Sequence, residues 1–162
     1  MKIAYSGTFG TGKTYSTYMK AMELKRQYPE KEVATLVNVE RECPLPINKD
    51  TNFEAQMWIL SRKIQEEIHL SRIYDYLVCD CTVMDVIAYV YAAGLPEFVQ
   101  MYKLASAWVD SYDEIYIKNT SRNNWLQNDG CRETDKSYRS QVENILTDLY
   151  DNSSYKSVFT CL

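Results

Sequence analysis

Gly7-Thr8-Phe9-Gly10-Thr11-Gly12-Lys13-Thr14 decides how this chain is read. It is a complete G-x-x-x-x-G-K-[ST]. An apolar run, Lys2-Ile3-Ala4-Tyr5-Ser6, precedes it directly, and a helix-like run over 13–28 follows. Each part has a physical task. The glycines let the backbone turn tightly, so that successive N–H groups converge on phosphate oxygens. The helix that starts there adds free N–H groups and the positive end of its dipole. Lys13 has the length to reach the β- and γ-phosphates, and the Thr14 hydroxyl is a ligand for Mg2+. The expectation is ATP with Mg2+, cradled by Gly7, Thr8, Phe9, Gly10, Thr11, Gly12, Lys13 and Thr14.

Outward from that loop, strand-like and helix-like segments alternate. Residues 33–39 (VATLVNV) are rich in β-branched side chains and read as a second strand. Thr51-Asn52-Phe53-Glu54 has the form of a capping box, with Thr51 as cap. Phe53, Met57, Leu60, Ile64 and Ile68 then recur at helical spacing, predicting one buried face. Residues 76–79 read as a third strand with Asp80 at its tip. A largely apolar helix over 83–93 is closed by Gly94, and another runs from Pro96 to about Asp110. A fourth strand falls at 114–118 and a fifth at 155–160. Between them lie a polar stretch with a turn at Asn128-Asp129-Gly130 and a helix striped with Val142, Ile145, Leu146 and Leu149. The prediction is an α/β chain: one domain over 1–162, a five-stranded parallel sheet with helices on both faces, and a small lid over about 119–139.

Composition narrows the partners. The net charge of −4 weighs against broad electrostatic binding of duplex nucleic acid, although a few placed cations suffice for a small anionic ligand. No apolar run approaches the roughly eighteen residues of a membrane span, and no targeting signal is visible. The expected location is cytoplasmic, or host cytoplasm for a viral chain. Cys43, Cys79, Cys81, Cys131 and Cys161 form no C-x-x-C pair, and His69 is the single histidine, so reduced thiols are expected rather than a zinc site. His69 is placed on a helix surface. A homodimer is left open.

Asp80 sits where a carboxylate at the end of a neighbouring strand orders Mg2+; it also suits the N-cap of the following helix. From here a family resemblance emerges. Asp80-Cys81-Thr82-Val83-Met84-Asp85-Val86-Ile87-Ala88-Tyr89 resembles the D-R-[ST]-x-x-D-x-x-A-Y stretch of compact P-loop kinase-like domains of AAA type. These are related to ribosylnicotinamide, deoxynucleoside and thymidylate kinases. Asp129-Gly130-Cys131-Arg132-Glu133-Thr134-Asp135-Lys136-Ser137-Tyr138-Arg139 resembles their D-G-x-R-x-x-D-x-x-[FY]-R segment. Cys81 departs from the pattern, which has an acceptor-contacting arginine there.

The resemblance implies a three-layer P-loop NTPase fold. It also implies transfer of the γ-phosphoryl group of ATP to a small nucleoside- or nucleotide-like acceptor. That acceptor is a free nucleoside, a nucleoside monophosphate, or a modified base carried in DNA; the last suits a phage-like chain but sits poorly with the acidic balance. Glu40 is implied as general base, with Arg41 and Glu42 beside it to grip an acceptor phosphate or ribose, or else these form a solvated charged turn. Gln56 and Trp58, with Phe53, are implied to hold a base. Asp85 and Tyr89 line the same pocket, unless Tyr89 is core packing. Arg122, Arg132 and Arg139 are lid arginines that neutralise the transferring phosphoryl group, or part of an exposed helix start capped by Asp135. Two other classes stay open: an ATPase that switches a partner, and a module that only binds nucleotide.

Overall fold

The computed structural model describes residues 1–120 and 135–151. In chain order the elements are β1 (Lys2–Ser6), α1 (Lys13–Gln27), β2 (Val33–Leu36), α2 (Phe53–Ile73), β3 (Tyr76–Asp80), α3 (Val83–Ala92), α4 (Phe98–Val109), β4 (Glu114–Ile117) and α5 (Lys136–Asp151). The four strands form one parallel sheet in the order β2-β3-β1-β4. Five strands are expected from sequence, and the fifth, at 155–160, lies outside the described residues.

β1 is central and buried along its whole length, which explains an apolar run without strict alternation. Ile3, Tyr5 and Val78 point to the face covered by α1, where they meet Leu24. Ala4, Leu77, Cys79 and Ile115 point to the other face and belong to the larger core shared with α2, α3, α4 and α5. α1 ends at Tyr28, whose N–H still donates to the Leu24 carbonyl, because the residue before Pro29 is steered out of the helical region.

Three local expectations are corrected. The second strand stops at Leu36 rather than running to Val39. It is an edge strand paired only with β3, and its last paired residue, Leu36, lies opposite Cys79, one residue before β3 ends. The chain leaves the sheet through Asn38 in the left-handed region (φ 60°) and enters a single 3-10 turn, Val39–Glu42. Asn52, not Thr51, caps α2: its side chain accepts from the Ala55 N–H at 2.9 Å, while the Thr51 hydroxyl accepts from the Gln56 amide at 2.8 Å.

The buried face of α2 is also rotated from the expected one. Ala55, Gln56, Ile59, Leu60, Lys63 and Glu67 are buried; Phe53, Met57 and Ile64 only flank the core, and Ile68 is exposed. Lys63 and Glu67 go inward because long-range partners await them. Glu67 accepts from Lys2 Nζ (2.9 Å), Trp108 Nε1 (2.8 Å) and the Tyr112 hydroxyl (2.7 Å), and pairs with Lys63 at 3.2 Å. Burial alone would raise the Glu67 carboxyl, but the two ammonium groups and the donated hydrogen bonds outweigh it and hold it below the ordinary carboxylate value.

Candidate functional site

The loop after β1 and the ends of β2 and β3 open onto one cavity of about 630 Å³ at the carboxyl edge of the sheet, the usual ligand position in open α/β folds. Gly7, Gly10 and Gly12 all have positive φ (150°, 72° and 79°), so the cradle is built from conformations that favour glycine. Gly7 is also sterically required: a Cβ there would lie 2.3 Å from the Lys118 carbonyl oxygen.

The loop is tied down by Asp85. Its carboxylate accepts from the Ser6 hydroxyl (2.8 Å), the Gly7 N–H (2.9 Å), and the N–H and hydroxyl of Thr82 (both 2.7 Å). Thr82 is the N-cap of α3, and Asp85 completes its capping box. Asp85 lines the cavity, as expected, but its carboxylate already serves the backbone of the loop.

At the donor end Lys13 donates to the carbonyls of Gly7 (2.6 Å) and Thr8 (2.9 Å). Burial disfavours its charge, yet the surrounding acidic groups Cys81, Asp80, Asp85 and Glu40 more than offset this and raise its pKa. The Thr14 hydroxyl donates to Asp80 Oδ2, which places the two expected Mg2+ oxygens side by side. The alternative role for Asp80, capping α3, falls to Thr82. A hydroxyl next to a carboxylate fits Mg2+, an ion that takes few protein oxygens and keeps waters and substrate phosphates for the rest. Among the described residues no group of three or more His, Cys, Asp or Glu side chains is arranged for a metal.

Glu40 lines the same cavity, carried on the 3-10 turn after β2 rather than on the strand. Burial is the largest influence on its carboxyl and raises it above the ordinary range; the charge of Asp80 adds to this, while Lys13 and Lys63 pull the other way. Arg41 lines the mouth of the same cavity, whereas Glu42 faces Arg62 at 3.8 Å. Gln56 reaches the wall with its amide nitrogen engaged by Thr51. Tyr89 lines the cavity and also packs on the core. Trp58 is elsewhere: with Phe53, Met57 and Arg62 it borders a separate shallow groove on the outer side of α2.

The start of α5 closes over the loop. Asp135 caps it, accepting from the Ser137 and Tyr138 N–H groups. Tyr138 stacks on Phe9 (6.4 Å between centroids) and leans on Tyr89 (6.3 Å), and Arg139 Nη2 donates to the Gly10 carbonyl at 3.2 Å. Arg139 is therefore beside the loop and buried. Arg122 and Arg132 lie outside the described residues. Sequence reasoning missed two cavity cations. Lys118 donates to the Ser16 hydroxyl at 2.8 Å, and Lys63 approaches the Asp80 carbonyl at 3.4 Å. The signal for Lys63 was present: Gln56, Ile59, Lys63 and Glu67 share a helical face, but an (i, i+4) charge pair normally marks a solvated one.

No curated protein sequence matches this chain. Among solved structures it is similar to thymidylate kinase from Ehrlichia chaffeensis (TM-score 0.71, 14% identity, 99% of this chain and 91% of that one). It is also similar to deoxyadenosine kinase from M. mycoides, solved with the products dCMP and a flexible dCDP bound (TM-score 0.62, 14% identity, 100% and 89%). At that identity the likeness establishes the three-layer α/β fold with its parallel sheet. A family model described as an AAA domain matches residues 2–160. With its phosphate loop, sheet order and nearly full-length match, the chain belongs to this AAA-domain family and has the P-loop kinase-like fold.

Proposed function

We propose that this chain is a phosphotransferase that moves the γ-phosphoryl group of ATP to a nucleoside- or nucleotide-like acceptor. The observation that carries the reading is the shared cavity. Lys13, the Thr14–Asp80 pair and a half-buried carboxylate, Glu40, line the same space.

The residues divide the work as follows. The N–H groups of the loop and Lys13 bind the triphosphate of ATP, with Lys13 leaving the Gly7 and Thr8 carbonyls to do so. Thr14 and Asp80 would hold Mg2+, which supplies charge neutralisation for the phosphates. The acceptor oxygen forms a bond to the γ-phosphorus while the bond from that phosphorus to the β–γ bridging oxygen breaks, and its electron pair departs on ADP. For a hydroxyl acceptor, Glu40 takes the proton; a raised carboxyl is the stronger base for that task. For a phosphate acceptor, already ionised, no proton need leave. Arg139 supports the loop from the α5 side, and Arg122 and Arg132 belong to the same proposal as lid arginines.

The two fold neighbours are a nucleotide kinase and a nucleoside kinase, which agrees with this reading. The test is ADP release from ATP with and without a panel of nucleosides, nucleoside monophosphates and modified-base DNA. Release that depends on an acceptor supports the proposal. Equal release without any acceptor identifies an ATPase, and none at all a nucleotide-binding module.

A further inference from the structure

A carboxylate in a reaction cavity serves one kind of acceptor and repels another, so the charges around Glu40 bear on what the cavity takes. Glu40 follows β2, at one edge of the sheet; in the neighbouring strand Asp80 ends β3 and Cys81 comes next. Asp85, on α3, lines the same space. Three carboxylates thus border one region and act on each other: burial and the charge of Asp80 raise the Glu40 carboxyl against the pull of Lys13 and Lys63. The wall among them is neutral. The Cys81 thiol lies 3.6 Å from Asp80 Oδ1, and burial, with Asp80, Asp85 and Glu40, pushes it up against the pull of Lys13, so it carries no charge. Val39, Ile59 and Val86, all buried, add apolar surface.

The cations of the cavity are committed elsewhere. Lys13 bonds the Gly7 and Thr8 carbonyls and, in the proposed reaction, the donor triphosphate. Lys118 follows β4, at the opposite edge of the sheet from Glu40, and donates to the Ser16 hydroxyl. Lys63 is paired with Glu67 at 3.2 Å and donates to the Asp80 carbonyl at 3.4 Å. Arg41 is exposed, between Glu40 and Glu42 in sequence. A phosphate dianion set beside Glu40 exchanges water for an apolar wall and for like charges, and both exchanges are unfavourable. A neutral hydroxyl meets no such repulsion and finds in Glu40 an acceptor for its proton.

We propose that the cavity takes its acceptor as a neutral hydroxyl. The substrate class is then an uncharged nucleoside, free or as a hydroxyl-bearing base carried in a strand, and not a nucleoside monophosphate. The inference rests on the phosphotransferase reading and narrows it. The hydroxyl oxygen bonds to the γ-phosphorus and its proton passes to Glu40. The bond from that phosphorus to the bridging oxygen breaks, and its electron pair leaves on ADP. The new phosphate monoester is itself an anion beside Glu40, Asp80 and Asp85, which favours its release.

The experiment is calorimetric titration of the four common 2′-deoxynucleosides and their 5′-monophosphates into protein saturated with Mg2+ and a non-hydrolysable ATP analogue. The range is about pH 6 to 8, above and across the second ionisation of a phosphate monoester. At the upper end the monophosphate should bind at least about tenfold more weakly than its nucleoside. Its affinity should rise as pH falls, because protonating the phosphate or Glu40 removes one of two facing negative charges, while nucleoside affinity changes less than about threefold. Glu40→Gln should tighten the monophosphate at least about fivefold at the upper end. A monophosphate that binds more tightly than its nucleoside, or that tightens with rising pH as a cationic site requires, overturns the proposal. So does a folded Glu40→Gln with the wild-type preference, and the wild-type titrations refute alone if that variant loses cooperative melting. ADP release from ATP then separates this proposal from the reading beneath it. Release with nucleosides supports the free form, and release only with a strand carrying a hydroxyl-bearing base supports the strand-borne form. Release with monophosphates alone overturns the proposal and leaves the phosphotransferase standing, whereas release with none of them overturns both.

Discussion

Replacing Glu67 by Gln removes one negative charge and almost no volume, so its effect isolates the electrostatics of the buried cluster. In the native protein the carboxylate is the common partner of Lys2, Lys63, Trp108 and Tyr112. An amide keeps one acceptor oxygen and turns the other end into a donor, so that at least one of the existing donors faces another donor. Two ammonium groups are then buried without a counter-ion. Breaking a buried pair in this way costs about 3–5 kcal/mol, against a total of about 5–15 kcal/mol for an ordinary domain. At about 2–4 °C per kcal/mol the melting temperature should fall by roughly 6–20 °C. Urea unfolding at pH 7 measures the loss directly, with an unchanged slope showing that the denatured state is the same. The sign with pH follows from the lowered carboxyl of Glu67. Its stabilisation is present above the unfolded carboxylate value and is lost as pH falls through the lower folded value, so the gap between wild type and variant should close in acid. A loss below about 1 kcal/mol at pH 7, the range of an exposed ion pair, would refute the reasoning.

Four further outcomes are expected. Asp85→Asn must leave at least one of the donors from Ser6, Gly7 and Thr82 unpaired, lowering stability by about 1–3 kcal/mol and raising KM for ATP, read by thermal melting and initial rates. Lys13→Ala should reduce turnover at least about 100-fold with little change in melting temperature, since Lys13 bonds only loop carbonyls; an undiminished rate removes the loop from the chemistry. For a hydroxyl acceptor, the rate should fall with decreasing pH through an apparent pKa above the usual carboxylate range, because Glu40 is raised by burial and Asp80 against the pull of Lys13 and Lys63. Glu40→Gln should flatten that limb and lower kcat by about 10²–10⁴-fold, and a phosphate acceptor should show neither effect. Trp58→Ala, on the outer side of α2, should leave kcat/KM within about twofold, and a larger loss would bring the shallow groove into the site.

The phosphate loop, its flanking strand and helix, and the parallel order of the sheet were legible because their signals are local. Positive-φ glycines, a lysine at fixed spacing and apolar runs of strand length carry their meaning within a few residues. Lys63 and Glu67 were not legible for the opposite reason. Four residues apart on a helix they look like a solvated pair, and only Lys2, Trp108 and Tyr112, each more than forty residues away in the chain, make the interior the better place for them. Asp85 lines the cavity, yet its hold on Ser6 and Gly7 spans almost eighty residues and leaves no trace in local pattern. The second strand was overextended since β-branched side chains state a preference for extended backbone, whereas an edge strand ends where its single neighbour ends.

The four-way grip of Asp85 has a mechanical consequence. One carboxylate fastens the first turn of the loop to the first turn of α3, so the α3 wall of the cavity and the glycine cradle belong to a single stiff frame. In the proposed reaction the spacing of these two walls is set when the chain folds, not when the reactants arrive. Among the described residues α5 joins the same frame, resting on Gly10 through Arg139 and sharing a hydrogen bond between the Tyr150 and Thr82 hydroxyls.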